Sequence, residues 1–169
     1  MVLKAKLLNL VFKRMAKGYQ EQKVYYQKML EVAREQEVVL NEEEVNMEKL
    51  FNLIEQRQEL MVTLDKMNVG LVDLKKEIRD ALGIEEFKIS SIQEKITGPG
   101  VKALADVLGE LKILVEKLKK VDQKNEITLR KVMQKTQEQL RILQKNKKAD
   151  EAYQASPLNE EGVFIDYTE

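Results

Sequence analysis

With 169 residues the chain falls in the size range of one domain, and its 43 % apolar content is enough for burial to offset the entropy lost on folding. It contains no His and no Cys, which removes the usual zinc ligands, the common neutral-pH acid/base group, the thiol nucleophile and every disulfide. Its 29 Lys and Arg equal its 29 Asp and Glu, so no overall field draws it to nucleic acid.

Charged residues at 34 %, aromatics at 5 % and only two prolines are the composition of long helices. A first helix is expected over about residues 2–40. Leu8, Phe12, Met15, Tyr19, Tyr26, Met29, Ala33 and Leu40 trace its apolar stripe, and Gly18 costs about 1 kcal/mol against Ala if it sits mid-helix. The start is basic and amphipathic, with Lys4, Lys6, Lys13, Arg14 and Lys17 ahead of the first acid, Glu21. That pattern suits an anionic membrane surface, but a basic helix start beside an acid-rich bundle is usually a packed or frayed terminus, which is the preferred reading. No apolar run approaches the roughly 20 residues of a membrane span. Leu7 to Phe12 is too short for a secretory signal and lacks a cleavage site, so a cytoplasmic chain is expected.

A second helix is expected over 42–82. Asn41 is a strong N-cap residue, Glu44 completes a capping-box-like arrangement, and Glu42 to Glu44 suit the positive end of a helix. Leu50, Leu53, Ile54, Leu60, Met61, Leu64, Met67, Leu71, Leu74, Ile78 and Leu82 form a wide stripe for burial. Arg57, Asn68 and Lys75 interrupt it; polar seam residues fix register in some helix pairs, but snorkelling at the seam edge is the plainer expectation. Gly83 to Gly100 forms a crossover, with a short helix at about 90–96 capped by Ser90 or Ser91.

The third long helix is expected at 99–147, because Pro99 at its first position gives up only an amide that would be unbonded anyway. Its stripe runs Val101, Leu104, Leu108, Leu111, Val115, Leu118, Asp122, Asn125, Leu129, Met133, Thr136, Leu140 and Leu143. The four-residue step from Leu129 to Met133 is a stutter, and Asp122 and Asn125 mark where the partner helix changes or ends. Helices of about 60 and 70 Å exceed a compact globule of this length, whose radius of gyration is about 15 Å. The expected fold is therefore all-α: an elongated antiparallel bundle or hairpin of three long helices with a short crossover helix and a flexible C-terminal tail. Residues 1–149 would form one helical domain and 150–169 the tail, which is acidic and without Lys or Arg.

Four segments, taken in order, resemble the FlgN family of flagellar export chaperones over most of Lys23 to Tyr153. LFNLIEQRQELM (Leu50 to Met61) resembles the family's second-helix pattern of apolar pairs around a Glu-x-Arg-Gln core. YYQKMLEVAREQEVVL (Tyr25 to Leu40) looks like its first helix, and LGIEEFKISSIQEKI (Leu82 to Ile96) like its crossover. LKKVDQKNEITLRKVM (Leu118 to Met133) is similar to its third-helix stretch with a recurrent Asn, here Asn125. The chain departs from the family at the turn after helix one, where Asn41-Glu-Glu-Glu replaces an acidic or Gly-Asp turn. It departs again near the tail, where Tyr153 lacks the Gly of a Tyr-x-x-x-Gly element.

The resemblance implies a cytoplasmic chaperone that binds the C-terminal helical segments of hook-associated (hook-filament junction) proteins. It would keep them unassembled and deliver them to the flagellar export gate. An amphipathic helix laid in an apolar groove provides the physics. No cofactor, metal or catalytic group is called for: Gly98-Pro99-Gly100 lacks the Lys-Ser/Thr of a phosphate cradle, and Glu42 to Glu44 and Glu85-Glu86 read as solvated charge. The candidate client-binding residues are Ile127, Leu129, Met133, Leu140 and Leu143 on the distal helix and Tyr153, Phe164, Ile165 and Tyr167 toward the tail. A homodimer through the same stripes is compatible with the pattern. The competing functions are a self-associating structural coiled coil, against which the interrupted seams argue, and a membrane-surface scaffold resting on the first seventeen residues alone.

Overall fold

A computed structural model describes residues 2–155, and all its regular structure is helical: α1 (Val2–Leu40), α2 (Met47–Leu82), α3 (Ile89–Lys95) and α4 (Pro99–Ala155). The described residues divide into two units, the first ending at Leu129 and the second starting at Arg130, so α4 contributes to both. The all-α expectation holds. Among the described residues no helix is long and apolar enough to cross a membrane.

Two helix starts differ from the sequence reading. Asn41 does not cap α2: its side-chain amide donates to Glu37 O at 2.6 Å and its backbone N–H bonds the carbonyls of Glu37 and Val38, so it closes the C-terminus of α1. Asn46 caps α2 instead, its side-chain oxygen accepting from Lys49 N at 3.0 Å, with Glu48 in the first turn. Asn46→Ala is accordingly expected to lower stability by about 1 kcal/mol in urea unfolding, and Asn41→Ala by about half as much. In the crossover, α3 begins one residue before Ser90 with Lys88 at the N-cap and no side-chain capping bond, so neither serine caps it. Ile92 is what anchors α3, fully buried in the main core. Gly83 ends α2 in the left-handed conformation at φ 62°, a position that favours glycine, and its N–H bonds Arg79 O.

In the first unit, apolar and polar layers alternate along the helices. The largest cluster joins Leu8, Phe12, Met15 and Tyr19 of α1 with Leu71 and Ile78 of α2, Ile92 of α3 and Val101, Leu104 and Leu111 of α4. Gly18 lets α2 come close here: a Cβ at that position would lie 3.0 Å from Leu71 Cδ2. Beyond it Gln22 Nε2 donates to Asn68 Oδ1 at 2.8 Å, and Lys23 pairs with Glu110. A second cluster follows from Met29, Leu30, Ala33, Leu64 and Leu118. A second polar layer then has Arg57 donating to both carboxylate oxygens of Asp122 at 2.6 and 2.8 Å and to Gln36 at 3.2 Å. Close by, Asn125 donates to Ala33 O at 2.8 Å. The third cluster holds Val32, Val39, Leu40, Leu50 and Leu53, with Leu129 packed against it. These pairings match early α1 with late α2 and late α1 with early α2, while α4 ascends alongside α1.

The polar seam residues therefore pair across helices and do not simply snorkel. Lys75 alone does the latter, its ammonium 5.8 Å from the Tyr19 ring centroid and 5.9 Å from that of Phe87. A slip of either helix would leave Gln22, Gln36 and Arg57 without partners in a largely dry interior, so these bonds fix register. Removing Asp122 or Arg57 by substitution with Ala is expected to cost about 1–2 kcal/mol each. That lies below the figure for fully buried pairs because Asp122 keeps a third of its side-chain surface in water. A double-mutant cycle in urea should show the two losses to be strongly non-additive.

Candidate functional site

The second unit, from Arg130, contains one helical run to Ala155, six residues beyond the expected end of the domain and eight beyond the expected helix end. Gln, Lys, Arg, Glu, Leu and Ala dominate it, all good helix formers, and neither Gly nor Pro interrupts it. At 100° per residue, Val132, Met133, Thr136, Leu140 and Leu143 fall on one face. The next positions on that face are Lys147 and Glu151, which pair with each other at 4.0 Å, so the apolar stripe stops at Leu143.

Met133 and Leu140 are each 54 % exposed and Leu143 is 63 % exposed. Single exposed apolar residues are ordinary; three large ones aligned on one face with no cover among the described residues are not. Charge surrounds the stripe. Between residues 130 and 148 seven Lys or Arg stand against one acid, Glu138, leaving +6. By helical geometry Arg141 and Lys148 border the stripe on one side and Lys135 on the other.

The other candidate residues are placed differently. Leu129 belongs to the first unit and packs against its third cluster, while Ile127 lies about 200° away around the helix and is exposed. Tyr153 is helical and 86 % exposed. Phe164, Ile165 and Tyr167 lie outside the described residues, as does the tail from residue 156. The face thus brings together Met133, Leu140 and Leu143, joined by Val132, which the sequence reading passed over although its spacing from Thr136 would have found it.

The family model described as FlgN protein matches residues 10–160, nearly the whole chain. The chain belongs to the FlgN family. It is thus a flagellar export chaperone. No curated protein and no solved structure matches it. The FlgN match takes in all of α2, α3 and α4 and the face from Met133 to Leu143, so the uncovered stripe lies inside the family's own extent.

Proposed function

We propose that this FlgN-family chaperone works in the cytoplasm, binds the C-terminal helical segments of hook-associated proteins, keeps them unassembled and delivers them to the export gate. The observation that carries this reading is the uncovered row of Met133, Leu140 and Leu143 on a basic helix. A segment destined to form a coiled coil exposes an apolar stripe of its own. Laying that stripe along Met133 to Leu143 covers both surfaces and prevents premature assembly. Met133 and the unbranched Lys and Gln side chains around it adapt to more than one client. The first unit, with its antiparallel long helices and crossover, serves in this reading as the scaffold, and holding and release need no catalytic group.

The test is a calorimetric titration of the full chain with C-terminal helical fragments of hook-associated proteins. Saturable binding to such a fragment, and none to a fragment lacking its terminal helix, is the expected result. Absence of binding to every hook-associated fragment overturns the proposal.

A further inference from the structure

The side of α2 turned away from the first unit's core carries a second apolar row that nothing in that unit covers. Met47, Phe51, Ile54, Met61, Val69 and Val72 are all exposed. At 100° per residue they fall within an arc of about 80°, centred about 110° around the helix from the buried Leu50, Leu53, Leu64, Leu71 and Ile78. From Met47 to Val72 the row is about 38 Å long. Its spacing is that of a coiled-coil seam, with Gln58 and Asp65 at the polar positions.

One border of this row is acidic, while the other carries Arg57, paired with Asp122, and Lys75 beside the Tyr19 ring. Glu48, Glu55, Glu59 and Asp73 line one flank, Asp65 lies within it, and Lys66 is the base among them. Among the described residues none of these five carboxylates is in an ion pair. Pairing of the row with the same row of a second copy would set these acids against one another, which disfavours that contact.

We propose that this face of α2 docks an amphipathic helix of another protein that carries Lys or Arg beside its apolar stripe. The row supplies the apolar contact, and the five unpaired carboxylates select the sign of the partner. The face is separate from the Met133 to Leu143 stripe and opposite to it in charge, so one chain distinguishes two helical partners.

The test uses the full chain and two labelled synthetic helical peptides of about 26 residues, the length of the row. Both carry the same Leu heptads, one with Lys and Arg at the flanking positions and the other with Glu. In the chain carrying Leu140→Asp and Leu143→Asp, which takes away the basic α4 stripe as a site for the acidic peptide, fluorescence anisotropy should give at least about tenfold tighter binding of the basic peptide, weakening as salt rises. Phe51→Gln with Val69→Gln should abolish that binding while leaving circular dichroism and thermal unfolding unchanged, since both side chains are exposed. Glu55→Lys with Asp73→Lys should reverse the preference. The parent chain should bind the basic peptide as tightly as the Leu140 and Leu143 variant does. Equal binding of the two peptides by the Leu140 and Leu143 variant, or undiminished binding of the basic peptide by the Phe51 and Val69 variant, overturns the proposal. So does self-association of the chain that this variant abolishes, because the occupant would then be a second copy.

Discussion

Leu140→Asp combined with Leu143→Asp is expected to weaken binding of a hook-associated helical fragment by about a hundredfold or more, with no change in unfolding temperature. Both side chains keep more than half of their surface in water, and docking buries roughly that exposed half-side-chain of apolar area at each, about 1 kcal/mol apiece. Forcing two carboxylates against the client's apolar stripe adds a desolvation penalty of similar size, and about 3 kcal/mol corresponds to a factor of about a hundred. Stability should not follow, because neither leucine belongs to a buried cluster and substitutions at such positions stay within about 0.5 kcal/mol. Ile142→Asp is the internal control. Ile142 is exposed to a similar degree but lies about 160° around the helix from Leu140 and about 100° from Leu143, outside the stripe on its Lys135 side, so the same change there should leave affinity within about twofold. Equal losses from the control and the double variant would show that helix charge, and not the stripe, governs binding. Unchanged affinity in the double variant would remove the surface altogether.

Periodicity made the helices legible and left their partners ambiguous. The α4 stripe from Val101 to Leu118 was readable because a helix covered on one side repeats its apolar residues at three and four, and most of those positions are buried. On α2 the same rule misled. Ile54 and Met61 were read into one wide buried stripe, whereas they lie on a second, exposed row, because apolar spacing reports that a face is suited to contact and not whether this chain supplies it. Asn41 and Asn46 illustrate a second ambiguity. Both are short amides at the edge of a helix, and only the direction of the chain on each side decides whether the side chain accepts from a first turn or donates to a last one. The pairing of Arg57 with Asp122 spans 65 residues, and of Gln22 with Asn68 46; Arg57, Asn68 and Asp122 are visible as interruptions, but interruptions carry no address, and Gln22 does not stand out from its stripe at all. The family resemblance was legible for a different reason, since it rests on the order of four segments and not on any one spacing, and the match over residues 10–160 bears it out.

Gly100→Val is expected to be the most damaging single exchange at a helix start, lowering stability by about 3 kcal/mol and the unfolding temperature by about 6–12 °C. Gly100 is the second residue of α4 and is buried where that helix begins against α1. A Cβ there would meet Asn9 O and Asn9 Oδ1 at 2.6 Å and Phe12 Cβ at 3.0 Å. The first of these is a backbone atom inside α1, which cannot swing aside as a flexible side chain would, so the two helices must separate. Separation also breaks the bond from Gly100 N–H to Asn9 Oδ1 at 2.7 Å, which satisfies one of the free amides of the α4 first turn from a neighbouring helix. It loosens Phe12, among the largest fully buried side chains of the main cluster. Gly109 provides the opposite case on the same helix. Nothing lies within 4 Å of the Cβ it would gain and its surface is exposed, so Gly109→Ala should raise stability by about 1 kcal/mol through helix propensity alone. Opposite shifts for the two glycines in urea and thermal unfolding are the expected pattern. A Gly100→Val protein as stable as the parent would mean that α1 and α4 do not approach as closely as the Asn9 contact requires, and with it would fall the register that places every polar layer above it.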